Sequence, residues 1–372
     1  MRDRDRRKFH LRRSGQSAKY DVEEVMRPTR YLRIHSIIPP HMLEQIAKHG
    51  KPHQKDWALK NLASAGFIRG QRHALGVLPP AAPVGHKSRS VFDCKRKNGQ
   101  PPAGTLVRRE GDAPAKDVAV NEAYDGAGAT YDLYFDIYDR NSIDNRGMSI
   151  VSYVHYDVNY DNAFWDGSEM VYGDGDGEIF ARFTKCIDVI GHELTHGVTQ
   201  YEANLAYSNQ PGALNESMSD VFGSLVKQRT LKQTAAKADW LIGAGLLMSK
   251  IHGKALRSMK APGTAYDDPV LGKDPQPATM RDYVQTTSDN GGVHINSGIP
   301  NHAFYLAAIE IGGNAWTKAG KIWYIALRDR LRSKSNFAGA ASATISVAKD
   351  LYGNGSKEMK AVQKAWKAVG VT

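Results

Sequence analysis

The stretch VIGHELTHGVTQ, residues 189–200, constrains this chain more than any other. Val189, Ile190, Leu194 and Val198 recur at helical spacing, which predicts an amphipathic helix. His192 and His196 are i and i+4, so they stack one turn apart on one face and can share one small ion. Glu193 lies about 100° round the helix. It is too offset to ligate that ion easily, but it can reach a water bound to it. This is the H-E-x-x-H pattern, whose usual ion is zinc. Spacing alone also permits a helix that merely carries polar residues on one side. A third ligand separates the two readings, because catalytic zinc usually takes three protein ligands and keeps a fourth position open.

GALNESMSDVFGSLV, residues 212–226, supplies one. Leu214, Met218, Val221, Phe222 and Leu225 make an apolar stripe, while Glu216 and Asp220 are i, i+4 on the other face. Glu216 follows His196 by twenty residues, enough for a turn and an antiparallel return. Asp220 would then stand one turn from the ligand and hold a histidine N–H from behind.

Five blocks stand in one order: NAFWDGSEMVYGDGDG (162–177), HELTH (192–196), ANLAYSNQPGALNESMSD (203–220), ALRSM (255–259) and DNGGVHINSGI (289–299). In this the chain resembles the thermolysin-like metallopeptidases, from about Ser88 to the C-terminus. IPPHML (38–43) is similar to the propeptide signature PPxxL of the protealysin-like group. The resemblance implies one catalytic zinc on His192, His196 and Glu216, with Glu193 as general base. It implies that His294 and Tyr207 donate hydrogen bonds to the developing oxyanion and that Asp289 orients His294. Asn215 and Asp220 would hold the zinc histidines. Arg257 would bind a substrate carbonyl, and Asn162 and Ala163 would pair with the peptide as an added strand. Phe183, Val189 and Leu256 match the S1′ pocket, which would favour a bulky apolar residue after the scissile bond.

The pattern departs at the family's paired calcium site. Asp188 and Asp239 remain, but Lys227 stands where a bridging glutamate is expected, and Leu241 and Ala244 stand where two more acids are expected. Lys254 replaces an aspartate of another calcium site. Cations repel calcium, so the paired site is expected to be absent. GDGDGE (173–178) has the short carboxylates of a calcium loop, but the resemblance assigns it to a turn beside the cleft.

Residues 1–83 carry 17 Lys and Arg against 7 Asp and Glu, nearly all of the chain's net charge of +11. An arginine-rich arm can bind nucleic acid. Residues 1–28 alternate Arg with Asp, so a solvated tail is the preferred reading and nucleic acid is not the expected partner. PPHMLEQIAKHG and QKDWALKNLASAGFIRGQR predict two short amphipathic helices with a turn at Gly50–Pro52. LPPAAPVGHKSRS (78–90) reads as an exposed linker and cleavage region. The expected division is a basic tail and propeptide (1–83), a β-rich lobe with the zinc helix (84–200) and a helical lobe (201–372). SRSVFDCKR and TYDLYFDIYDRNSID both read as part of the β-rich lobe.

MRDRDRRKFHLRR has no apolar core, so no conventional secretory leader is expected. Synthesis in the cytoplasm, with any export by another route, is the expectation. No run of 18 apolar residues exists for a membrane span. The two cysteines, Cys94 and Cys186, make no disulfide framework. None lies in residues 1–83, so latency by a thiolate on the zinc is excluded.

The fold class expected is α+β: two lobes with a central zinc helix, preceded by a small helical propeptide that inhibits in cis. The function expected is a zinc endopeptidase, monomeric, acting on peptides and proteins. A non-catalytic binding protein on the same scaffold should have lost Glu193, His294 or Tyr207, and none is lost. A basic nucleic-acid module fused to a peptidase is the other alternative.

Overall fold

The computed structural model describes residues 35–70, 85–99 and 102–372. The basic tail 1–28 and most of the linker 78–90 lie outside them. Six strands form one mixed sheet: β1 (His35–Ser36), β2 (Arg89–Asp93), β3 (Thr105–Arg109), β4 (Ile150–Val154), β5 (Ala163–Trp165) and β6 (Met170–Tyr172), in the order β1-β5-β6-β4-β2-β3. β4 is parallel to β2 and β6, and the other pairs are antiparallel. The edge strand β1 belongs to the N-terminal segment, so the sheet is completed by a part of the chain expected to be propeptide.

Two helices follow it, α1 (Pro40–His49) and α2 (Pro52–Gly70), as the sequence predicts. Pro40 begins α1, where a missing N–H costs nothing. Its spacing puts Met42, Leu43 and Ile46 on one buried face.

α3 (Val118–Tyr138) starts where the Asp117 carboxylate accepts from the N–H groups of Ala119 and Val120. It stops at Asp139, which takes a left-handed φ of 54°. This corrects the reading of TYDLYFDIYDRNSID as strand. Its aromatic residues have strand propensity, but packing overrides that weak preference. Tyr131, Tyr134 and Tyr138 fall on one helical face, and Tyr134 and Tyr138 pack on Phe222 and Tyr324 from the helical lobe.

α4 (Ile187–Tyr201) and α5 (Asn209–Thr230) are the paired helices at the centre. The chain beyond is mainly helical: α6 (Asp289–Asn296), α7 (Gly298–Ile311), α8 (Lys318–Ile325), α9 (Phe337–Tyr352) and α10 (Lys357–Ala368). A short antiparallel pair, Leu241–Ile242 with Arg257–Ser258, fixes Arg257 beside α5. Among the described residues, no helix is long and apolar enough to cross a membrane.

Candidate metal centre and peptide cleft

α4 and α5 approach unusually closely. A Cβ on Gly191 would stand 3.0 Å from Gly223 Cα, and one on Gly223 would stand 3.0 Å from the His192 nitrogen. Only glycine at both positions lets the backbones meet, and that brings Glu216 opposite the histidines. His192 Nδ1 lies 2.8 Å from Asp220 Oδ1, and His196 Nδ1 lies 2.8 Å from Asn215 Oδ1. Both partners are acceptors, so each Nδ1 carries the proton and each Nε2 turns a lone pair inward. The two Nε2 atoms face each other at 3.0 Å. Each lies 3.5 Å from a Glu216 carboxylate oxygen. Three buried electron-pair donors whose ligating atoms all lie within 4.8 Å of one another can hold one cation between them. Two imidazoles and a carboxylate are a donor set suited to zinc.

Glu193 is buried on the same helix. Its Oε2 accepts from the Trp165 N–H of β5 at 3.1 Å, and its buried Oε1 makes no hydrogen bond. Burial pushes its carboxyl up to about 8, against the pull of His192.

His294 arrives by a backbone turn. Asn290, Gly291 and Gly292 have φ of 51°, 87° and 73°, the left-handed region, so the first residues of α6 are a tight reversal rather than helix. Asp289 Oδ1 lies 2.6 Å from His294 Nδ1, which aims Nε2 at the cleft. Burial opposes charge on His294, but Asp289 and Glu216 outweigh it and raise the imidazole to about 9. Tyr207 hydroxyl lies 3.1 Å from His294 Nε2 and donates to Glu216. Arg257 grips Asp220 through two hydrogen bonds of 2.8 Å. All these predicted residues converge on one cleft.

The cleft holds a peptide, and the peptide is the chain's own. Ser36 carbonyl accepts from His294 Nε2 at 3.1 Å. Ile37 N–H donates to Ala163 carbonyl at 3.2 Å, and Ile37 carbonyl accepts from Arg257 Nη1 at 3.1 Å. Ile38 N–H donates to Asn162 Oδ1 at 3.1 Å. Downstream, Ile37, Ile38, Met42, Leu43, Ile46 and Ala58 are buried. Glu178 Oε1 and Oε2 accept from His53, Lys51 and Gln54 at the rim, and Lys60 pairs with Asp157.

Other expectations resolve individually. Phe183, Val189 and Leu256 are buried. In GDGDGE, Asp174 pairs with His155, Asp176 caps the N–H groups of 178–180, and Glu178 holds α2. Lys227 Nζ lies 3.0 Å from both Asp188 and Asp239 and donates to Leu241 carbonyl. Burial opposes its charge, yet the two carboxylates raise its pKa. Cys94 and Cys186 are free and buried, and desolvation pushes both thiols up, so neither is an active nucleophile.

Sequence reasoning missed several contributors. Asn301 donates to Asp220 at 2.8 Å, Ser219 contacts His196 Nδ1 at 3.0 Å, and Gln276 donates to His294 carbonyl at 2.8 Å. Ser219 lies within a quoted block and could have been suspected from its place one turn after Asn215. Nothing local marks Asn301 or Gln276.

Residues 86–200 match the model of the thermolysin metallopeptidase catalytic domain, and residues 203–371 match that of the thermolysin metallopeptidase alpha-helical domain. An extracellular metalloprotease of Pectobacterium carotovorum subsp. carotovorum is 50% identical over 90% of this chain and 96% of its own. Protease PrtS of a Photorhabdus species is 46% identical over 90% of this chain and 91% of its own. A solved structure, the precursor of protealysin, a metalloproteinase from Serratia proteamaculans, is 54% identical and superposes with a TM-score of 0.84, covering 91% of this chain and all of its own. With matches of this extent along nearly the whole chain, and a His192–His196–Glu216 cluster that can hold a metal ion, the chain belongs to the thermolysin family, in its protealysin-like group, and is a zinc metalloendopeptidase with a propeptide.

Proposed function

We propose that this zinc endopeptidase is made latent, with residues 36–62 closing its own cleft, and that its mature form cleaves before bulky apolar residues. The observation that carries the reading is the segment 36–38, which continues β1 into the cleft. It makes, within one chain, the hydrogen bonds that a peptide substrate would make with Asn162, Ala163, Arg257 and His294. His192, His196 and Glu216 hold the zinc. When bound, zinc lowers the pKa of water and polarises the peptide carbonyl.

The remaining chemistry belongs to the chain. Glu193, hung from Trp165 N–H, takes a proton from the attacking water and returns it to the leaving nitrogen. His294, held charged by Asp289, and Tyr207 donate to the carbonyl oxygen as it gains charge. Arg257 and Asn162 fix the peptide on the far side of the scissile bond. Asp220, Asn215 and Asp289 are positioning residues, since they act through the histidines. Phe183, Val189 and Leu256 wall the S1′ pocket in this reading; all three are buried, as is Ile37 in the latent form. Nucleic acid has no part in this reading, and the working unit is a monomer.

The test is the Glu193→Gln variant beside wild type. Zinc content should stay at one per chain while hydrolysis of a peptide with Leu after the scissile bond falls about 10³-fold or more. Full activity in the variant, or equal cleavage of a matched peptide with Asp at that position, would sink the reading.

We propose in addition that Lys227 takes the part of the family's paired calcium. Its ammonium already lies between Asp188 and Asp239, the two acids that remain there.

A further inference from the structure

Resting on the peptidase reading above, we infer that the Ser36–Ile37 peptide bond is itself a cleavage site, the first cut the chain makes in itself, and that the cut leaves a nicked enzyme still closed by residues 37 onward.

The register carries this. Four hydrogen bonds fix both the direction and the frame of the bound segment. The carbonyl of Ser36 faces His294 Nε2, and the amide N–H of the next residue faces the Ala163 carbonyl. The carbonyl of Ile37 takes Arg257, and the N–H of Ile38 takes Asn162. A segment running the other way would exchange N–H for C=O along the strand, and these four contacts could not form together. β1 pairs antiparallel with β5, Ser36 opposite Phe164 and His35 opposite Trp165. The Trp165 N–H also suspends Glu193. One strand therefore holds both the base and the bond it would work on. The carbonyl on the oxyanion donor is that of Ser36, so the bond presented for attack is the one that follows it.

The hydrolysis balances with water alone. Water oxygen adds to the Ser36 carbonyl carbon, and Glu193 accepts one of its protons. The C–N bond breaks, and that proton goes to the Ile37 nitrogen. The second water proton passes from the new carboxyl to the same nitrogen, so the products are a Ser36 carboxylate and an Ile37 ammonium.

What anchors each product differs. On the upstream side, among the described residues, the only anchor is the two-residue β1. Residues 1–36 would leave as a peptide carrying 11 Lys and Arg against 5 Asp and Glu. On the downstream side, the contacts of Ile37 carbonyl and Ile38 N–H survive. So do the buried Met42, Leu43, Ile46 and Ala58, and the Glu178 and Asp157 contacts to α2. The new N-terminus stays in the primed half of the cleft as a product inhibitor joined to its own enzyme, where a tether keeps the local concentration high. A second event, loss of 37–70, is needed to open the site.

The experiment uses the full chain purified metal-free. Zinc is added, and intact mass, peptide mapping and hydrolysis of an external peptide are followed together, with Glu193→Gln, Ile37→Asp and Ile37→Leu alongside. The expected result is a pair of species, 1–36 and 37–372, whose half-time of appearance is about tenfold shorter than that of external activity. Size exclusion should separate 1–36 while 37–372 stays together and inactive. The new terminus should be absent in Glu193→Gln and Ile37→Asp and present in Ile37→Leu, which shows that loss in the aspartate variant is not misfolding. Activation through cuts confined to 71–90, with no terminus at Ile37, overturns the inference while leaving the peptidase reading intact. Activity rising in step with the nick overturns the claim of retained latency. A chain that cuts nowhere, and stays inert after limited trypsin removes the N-terminal segment, overturns both.

Discussion

At the scale of single residues, His41 carries a consequence that its place in PPHML does not announce. Its Nε2 lies 3.2 Å from Tyr266 hydroxyl, and its Nδ1 is sealed from water without a partner. Desolvation lowers its pKa to about 4, helped by the nearby positive charges of His294 and Arg257 and opposed by Asp289. The docked state therefore binds fewer protons than the released one, whose imidazole titrates near 6.5. Docking is undisturbed above about 6.5 and weakens as pH falls toward 4, by up to about tenfold per pH unit. Release of the N-terminal segment from the Glu193→Gln chain, followed by hydrogen exchange of the Ile38 amide, should speed up over that window. His41→Gln should flatten the response. A release rate independent of pH in wild type would refute the assignment. The same scale shows what local pattern can and cannot disclose. His192, Glu193 and His196 declare themselves by spacing, because a helix fixes i and i+4 on one face. Asn301 and Gln276 do not, because each reaches the site from another element.

At the scale of elements, α1 is a wedge whose grip is apolar. Truncating Leu43 to Ala removes buried contact and should cost about 2–3 kcal/mol of docking. The lag before external activity should shorten accordingly, with the melting temperature of residues 85–372 unchanged. An unaltered lag would show that α1 does not hold the cleft shut. The contacts of Lys51 and His53 to Glu178 are exposed and contribute less. A second element-scale prediction concerns the N-terminus of α3. His155 bridges Asp174 and the capping Asp117 at 2.7 and 3.0 Å. The hydrogen bond to Asp174 raises it to about 9, against desolvation. The folded pKa is above the unfolded one, so the stabilisation is complete below about 6.5 and is lost as pH rises through about 9. After allowance for solvent screening it is worth about 1 kcal/mol. Thermal melts of wild type and His155→Asn should differ at pH 6 and coincide near pH 10. TYDLYFDIYDRNSID reads as part of a β-rich lobe, yet its residues up to Tyr138 close α3, since aromatic-rich sequence fits either a half-buried strand or the inner face of a helix. The partners Phe222 and Tyr324, distant in sequence, chose the helix.

At the scale of the molecule, Lys227 ties α5 to Asp188 on α4 and to Asp239 beyond it. The melting temperature should be insensitive to a calcium-selective chelator. Lys227→Ala should cost about 2–4 kcal/mol, because it strands the buried carboxylate of Asp188. A clear drop on chelation would contradict the proposal. The sequence by itself determined the zinc helix, its third ligand, the α1–α2 pair and the helical second half, because each is written in residues a turn or two apart or in blocks whose order is preserved. Only the tertiary structure decided that β1 completes the sheet from the N-terminal segment, that the Ser36 carbonyl lies on His294 Nε2, and that a lysine bridges two acids. Those depend on which residues of distant elements come within hydrogen-bond reach, and reach of that kind is set by backbone approach, as at Gly191 and Gly223, rather than by local spacing.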